Sequence, residues 1–262
     1  MFDFTAPAMT LDQIPDLLFL FFLLVVFPLQ NLRHTARPWP RPRPDKPPRP
    51  PLQSYWRQGR FVLVLMLVLS LVMWTGRHSL DDLGLAFPTS AGAIGGLAVA
   101  CLVMLAVHVI GTIMERSMTP TKRAEQAAQL RDLPLTMPRT PFEVAAYVVT
   151  MVGMTALWEV LFRGYALLIL TPYLGLPAAI AVAAISYGAG HGYKNVRQFF
   201  GSIAMAFAFT IGYAITGSLW WLIVLHAAAP VSMLFYMRKM KTTAANAAAT
   251  RSHCANYPVR DA

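Results

Sequence analysis

The sequence predicts an all-α fold, a polytopic membrane bundle of about seven transmembrane helices. Three observations carry this expectation. The chain is 56% hydrophobic and only 13% charged, against about 25% charged residues in ordinary soluble domains. Its apolar residues fall in runs near the roughly 20 residues that a helix needs to span hydrocarbon. The basic residues behind the net charge of +10 cluster between those runs, which is the positive-inside pattern of a membrane protein rather than a nucleic-acid surface.

The first apolar run covers residues 13–30 and forms an N-terminal unit, 1–32. Asp3, Asp12 and Asp16 lie at or before its start, where a cleavable signal would carry basic residues, so a retained span is expected. Residues 33–60 form a basic, proline-rich linker with eight Arg or Lys against Asp45 alone. Eight prolines lie between Arg37 and Pro51. Proline fixes φ and lacks an N–H, which favours an extended polyproline form there. The plain reading is a stiff solvated spacer; the sharper one is docking to anionic headgroups or to an SH3-like partner.

The second and third runs, 60–76 and 90–114, belong with the next basic loop to a unit 61–141. That loop carries Lys122, Arg123, Arg131 and Arg139. Four further runs, 142–170, 175–192, 198–216 and 218–237, make a core unit 142–237. The fourth run is too long to stand upright, so it should tilt or begin along the membrane surface. Residues 238–262 are expected to be a disordered basic tail. Seven crossings put the four basic stretches on one face, including Lys194 with Arg197 and Arg238 with Lys239 and Lys241. That face is expected to be cytoplasmic, with the N-terminus outside and the C-terminus inside. Cys101 and Cys254 give no disulfide framework, and Cys101 reads as a small packing residue.

Three polar signals interrupt the apolar core: Glu159 to Gly164, Tyr187 to His191, and His226 to Pro230. A carboxylate, a guanidinium and two imidazoles at membrane depth are costly and read by default as a functional site. Glu159 and Arg163 are four residues apart and meet on one helix face. They make either a structural ion pair or a carboxylate held ionised to take a proton from water. Gly164 admits a close neighbour, as do the small residues before His191. Tyr187 shares a face with His191. A lone intramembrane His is often only hydrogen-bonded to a backbone carbonyl, the reading for His108 in the third run. By helical rise, Glu159, His191 and His226 can all lie in the middle of the bilayer. Together they suit activation of a water and stabilisation of an oxyanion. They equally make a two-His, one-carboxylate zinc set, although the soluble HExxH pattern is absent.

On these residues the chain resembles the CPBP family, the CAAX-protease and bacteriocin-processing intramembrane proteases of Rce1 type. The family pattern is EExxxR, then FxxxH, then HxxxN or a near variant, on separate membrane helices. Glu159 to Gly164 matches the second Glu through the Arg-Gly, and Tyr187 to His191 matches the second motif with Tyr for Phe. The run Thr216 to Trp220 with His226 after it matches the approach to the third motif, and Asp82 to Leu85 resembles a short family segment. The resemblance covers roughly residues 80–237. Two positions depart from it. Trp158 stands where the family has the Glu usually assigned as general base, and indole is a donor only. Pro230 stands where an Asn is expected, offers no side-chain donor, frees the His226 carbonyl from its helical partner and favours a kink.

The resemblance implies a protease that cleaves a membrane-presented protein or peptide, a prenylated CAAX-type C-terminus among the candidates. Glu159 would be the base or its partner, Arg163 its anchor, His191 the residue positioning water, and His226 the oxyanion stabiliser. A glutamate-dependent mechanism needs no metal; a zinc version would use Glu159, His191 and His226. The expected partners are the lipid bilayer, taken as a bacterial cytoplasmic membrane, and a protein or peptide substrate, with no nucleic acid. A different class of reading is a catalytically silent relative acting as scaffold, chaperone or immunity-type partner. A transporter is disfavoured by the lack of an inverted repeat.

Overall fold

The computed structural model describes residues 13–36, 50–119, 121–122, 125, 138, 140–191 and 195–236. Residues 37–49 of the proline-rich linker, most of the loop after the third helix, Lys194, the C-terminal tail with Cys254, and Asp3 and Asp12 lie outside the described residues. Among the described residues there are seven helices of at least 15 residues and no strand.

Helix α1, residues 14–36, is built from Ile14–Phe21, a π-helical stretch Phe22–Val26, and Phe27–Ala36. Helices α2 and α3 are Pro51–Thr75 and Ala91–Ser117. Helix α4, Pro141–Leu174, contains a second π stretch at Val160–Tyr165. Helices α5, α6 and α7 are Leu176–Gly190, Val196–Thr216 and Trp220–Tyr236. Helices α1, α2, α3, α4 and α6 are long and apolar enough to cross a membrane, while α5 and α7 are shorter apolar helices. With the composition, this is the architecture of an integral membrane protein.

The helix ends obey local chemistry. Pro51 occupies the first turn of α2, where a missing N–H costs nothing. The helix therefore starts nine residues before the apolar run at 60. Its polar first turns escape a count of apolar residues, yet Tyr55 there is buried against Tyr147 of α4, ring centroids 5.5 Å apart. Helix α4 opens on a capping box in which Thr140 Oγ1 accepts from Glu143 N–H at 3.2 Å and the Glu143 carboxylate accepts from Thr140 N–H at 3.1 Å. At about 1.5 Å per residue its 34 residues run roughly 50 Å, well beyond a hydrocarbon core of about 30 Å. Gly175, with φ of 72°, turns the chain from α4 into α5.

The core gathers around α4 and α5, with α1, α2, α6 and α7 packed about them. Helix α3 is peripheral and buries only Ala93 and Ala100. Two expectations change as a result. Cys101 is exposed and its neighbour Ala100 does the packing. His108 is likewise exposed rather than buried against a carbonyl.

The α2–α3 loop positions the centre of α4 from one side. Ser79 N–H and Oγ donate to the Asp82 carboxylate at 2.7 and 2.8 Å, which holds this exposed group below the usual carboxylate range. The turn delivers Leu83 into the core, where it is 1% exposed. Gly84 takes φ of 74° and its carbonyl accepts from Leu219 N–H at 2.9 Å. Trp220 Nε1 donates to the Ala86 carbonyl at 2.9 Å. The run Thr216 to Trp220 thus clips the α6–α7 turn onto this loop, helped by the left-handed Gly217.

Candidate active site

The three polar signals converge, though not as a single triad. Glu159 closes the first α-helical part of α4, and the π stretch begins at the next residue. Such insertions occur mostly as single turns within α-helices and shift the phase of the residues beyond them. Glu159 and Arg163 are both fully buried, and Arg163 Nη1 donates to Glu159 Oε1 at 3.3 Å. His226 Nδ1, from α7, lies 2.6 Å from the same oxygen. That distance is in the range of a charge-assisted hydrogen bond. The Nδ1 nevertheless makes no aligned hydrogen bond, so the contact is an ion-pair approach whose N–H is off line.

Arg163 also stacks over the Tyr187 ring, with its guanidinium carbon 3.8 Å from the centroid. The Tyr187 ring in turn lies 5.0 Å from that of His191. One continuous line of contacts therefore runs from His226 through Glu159, Arg163 and Tyr187 to His191. Its members come from α4, α5 and α7 and from the residue that caps α5. Glu159 Oε2, Arg163 Nε and Arg163 Nη2 are buried without a hydrogen-bond partner.

Trp158 points elsewhere. Its ring packs with Phe27 at 4.8 Å, Phe162 at 5.8 Å and Phe61 at 6.4 Å. Together with Phe27, Asn31, Phe162, Tyr187, Gly190 and His191 it lines a partly open cavity of about 200 Å³. His191 is exposed at this cavity. Trp158 thus faces the His191 side, while Glu159 faces His226. This is the divergence that adjacent positions on a helix, about 100° apart, impose.

The expected small-residue contacts have specific partners. A Cβ on Gly164 would sit 2.9 Å from the Leu83 carbonyl, so the close neighbour is the α2–α3 loop rather than another helix. A Cβ on Gly188 would meet Ile203 Cα at 2.9 Å, which marks the α5–α6 approach. Helix α7 continues through Pro230 to Tyr236, and the Pro230 carbonyl accepts from the Tyr147 hydroxyl at 3.2 Å.

Among the described residues, no three His, Cys, Asp or Glu side chains gather as a metal site. Glu159 and His226 touch, but His191 stands off on the far side of Arg163 and Tyr187. The arrangement does not fit the zinc set.

Two polar features of α1 were not singled out in the sequence. Asp16 is buried, 3% exposed, and accepts from the Tyr165 hydroxyl at 2.9 Å while His78 Nε2 lies 3.4 Å away. Asn31 reaches the cavity and donates from Nδ2 to the Gly190 carbonyl at 2.6 Å. Both lie toward helix ends, where a polar residue is ordinarily solvated. The available signal was an acid and an amide bracketing one otherwise apolar helix.

Fold and cluster together define a polytopic helical membrane protein with a buried Glu–Arg–His centre assembled across several helices. Residues 140–231 match the family model described as Rce1-like, type II CAAX prenyl endopeptidase Rce1-like, a match that supports membership of the CPBP family. The kind of function that goes with the family is CAAX-type intramembrane proteolysis. No curated protein and no solved structure matches the chain.

Proposed function

We propose that this chain is an intramembrane endopeptidase that hydrolyses a peptide bond of a membrane-presented protein or peptide, with a prenylated CAAX-type C-terminus as the first substrate class to test. The observation that supports this best is the fully buried Glu159, held between Arg163 at 3.3 Å and His226 at 2.6 Å. A carboxylate against Nδ1 orients an imidazole and stabilises its protonated form, leaving Nε2 to work as general base. His226 is the only partly exposed member of this trio, with 23% of its side chain accessible. In the proposed reaction His226 Nε2 takes a proton from water as the water oxygen bonds to the scissile carbonyl carbon. The tetrahedral intermediate then collapses, the C–N bond breaks, and the same proton passes to the leaving amine. His191, at the cavity, positions the substrate carbonyl or the water. No step is routed through a metal ion. The cytoplasmic placement of the basic loops, a bacterial cytoplasmic membrane as the location, and the absence of a nucleic-acid partner belong to the same proposal.

The test is cleavage by the purified full chain in lipid vesicles. The substrates are a farnesylated peptide ending in a CAAX sequence and its unprenylated, membrane-anchored counterpart, with products read by mass spectrometry. Cleavage that disappears in His226→Ala and Glu159→Gln is the expected result. Folded wild-type protein that cleaves neither substrate removes the proposal.

A second reading, a silent membrane scaffold or immunity-type partner, is favoured by one observation. Trp158 and three phenylalanines form an aromatic wall where the family carries a carboxylate. On that reading Glu159 and Arg163 only lock the helices, and His191→Ala leaves binding intact.

A further inference from the structure

Helix α2 ends in a Schellman turn, in which His78 N–H donates to the Met73 carbonyl at 2.9 Å and Arg77 N–H to the Trp74 carbonyl at 3.3 Å. The left-handed position of that turn is filled by Arg77, with φ of 56°. Among the described residues it is the only non-glycine residue with a positive φ. Glycine is the usual occupant, because it adopts this conformation without a Cβ penalty. A glycine stands one residue earlier, but it is needed there: a Cβ on Gly76 would run into His78 and the Asp16 carboxylate. Arg77 thus bears strain that a second glycine would relieve, and such strain points to a use for the side chain.

The charge is as unusual as the backbone. Arg77 is the only Arg or Lys between residues 61 and 115, and the turns at the same end of the bundle, 171–176 and 216–220, carry none. Among the described residues it has no ion-pair partner. The Asp82 carboxylate is held by Ser79 and the Asp16 carboxylate by Tyr165 and His78, while Asp81 is exposed in the next turn and makes no ion pair with Arg77.

Arg77 borders an open pocket of about 760 Å³ lined also by Pro15, Met73, Trp74, Thr75 and His78. That size lies within the roughly 300–1,000 Å³ of small-molecule sites. Trp74 is 78% exposed, and Leu71 and Leu67 continue an exposed apolar stripe from it down the same face of α2. From Arg77 to Leu67 the helix descends about 15 Å, half of a hydrocarbon core of about 30 Å. A cation at the rim with one leaflet's depth of apolar surface beneath it has the outline of a single lipid.

We propose that this pocket is a binding site for an anionic phospholipid, in the leaflet away from the basic stretches. The Arg77 guanidinium donates to the headgroup phosphate, whose oxygens match its planar fork. The Trp74 indole packs beside the glycerol, and an acyl chain follows Leu71 and Leu67. A free phosphate would use the cation and leave the stripe idle. The site does not depend on whether the chain cleaves a peptide.

The test places the purified full chain in phosphatidylcholine vesicles that carry a small fraction of photoreactive phosphatidylglycerol, or of photoreactive phosphatidylcholine with the same chains. Labelled residues are mapped by mass spectrometry. Labelling within residues 67–78 should be about fivefold stronger with phosphatidylglycerol, the worth of one interfacial cation. In Arg77→Gly it should fall to the phosphatidylcholine level, while the midpoint of unfolding holds or rises because the strain is gone. Trp74→Ala should also lower it, and Arg57→Ala, at the other end of α2, should leave it unchanged. Equal labelling by the two lipids overturns the proposal, as does undiminished labelling in folded Arg77→Gly. Should Arg77→Gly lose folded protein, Arg77→Gln decides the same question with a long uncharged side chain. Labelling that inorganic phosphate competes away assigns the pocket to a free anion and overturns the lipid assignment.

Discussion

Two buried carboxylates divide this molecule. Asp16 at the start of α1 and Glu159 in the middle of α4 each sit at or below 3% exposure, and each has an imidazole within 3.4 Å. Their surroundings differ in completeness. The Asp16 oxygens face Tyr165 and His78, and both are engaged. Gly76 accommodates this closure, because a Cβ there would sit 2.6 Å from His78 and 2.7 Å from Asp16 Oδ2. Around Glu159, one carboxylate oxygen and two guanidinium nitrogens are left without hydrogen-bond partners. An orphaned buried polar atom costs about 1–3 kcal/mol, more when charged. On the proposed reading the open cluster is kept for chemistry rather than stability, while the closed cluster fits a structural staple. On the same reading this contrast in hydrogen-bond completeness distinguishes a structural cluster from a functional one.

The largest effect should come from His226→Ala. It removes the partly exposed member of the open cluster and leaves the Arg163–Glu159 pair intact. Catalysis by a positioned acid–base group is worth about 10²–10⁴-fold, so cleavage should fall by that factor with little change in the amount of folded protein. Retained activity would break the comparison at its functional end. Arg163→Ala is next, measured as stability. It strands Glu159 at zero exposure, and breaking a buried pair costs about 3–5 kcal/mol. Arg163→Lys should recover only part of this, since an ammonium lacks the planar fork and the stack on Tyr187. A midpoint of unfolding unchanged in Arg163→Ala would mean that Glu159 is neutral in the fold.

Much of this was legible in sequence, for reasons that also explain the parts that were not. Glu159 with Arg163 and Tyr187 with His191 are contacts four residues apart on a helix, and helical spacing reads them directly. The seven helices come from apolar run length. The Glu159–His226 contact was not readable, because nothing in spacing says which faces of α4 and α7 meet. Nor was the π stretch after Glu159, which has no residue signature here. Asp16 and Asn31 were passed over because polar residues near span ends usually meet water. Their burial is a tertiary fact, created by the way α1 lies along α4 and α5. The same limit holds for Gly164, whose need for space was legible but whose neighbour, the Leu83 loop, was not.

Gly164→Ala tests how tightly that loop holds the centre of α4. The added methyl meets the Leu83 carbonyl at 2.9 Å and Leu219 Cδ1 at 3.3 Å. One contact is backbone clipped to the α6–α7 turn, so relaxation must move the loop as a unit. Overpacking of this kind costs about 1–3 kcal/mol. Because the clip also sets the start of α7, and His226 lies on α7, activity should fall along with stability. A variant that is destabilised but fully active would show that the loop and the Glu159–His226 contact are independent.

The smallest effect belongs to the closed cluster. Tyr165→Phe removes the hydroxyl that donates to Asp16 at 2.9 Å and keeps the ring that packs on Phe19, centroids 5.4 Å apart. Polar contacts between membrane helices average well under about 2 kcal/mol, so a loss of about 1 kcal/mol is expected in reversible unfolding in detergent. Cleavage should be untouched. Tyr165 ends the same π stretch that begins beside Glu159, only six residues along the helix. An activity loss in Tyr165→Phe out of proportion to its stability loss would therefore mean that the two carboxylate clusters communicate through that stretch. Asp16 would then have to be counted with the site rather than with the scaffold.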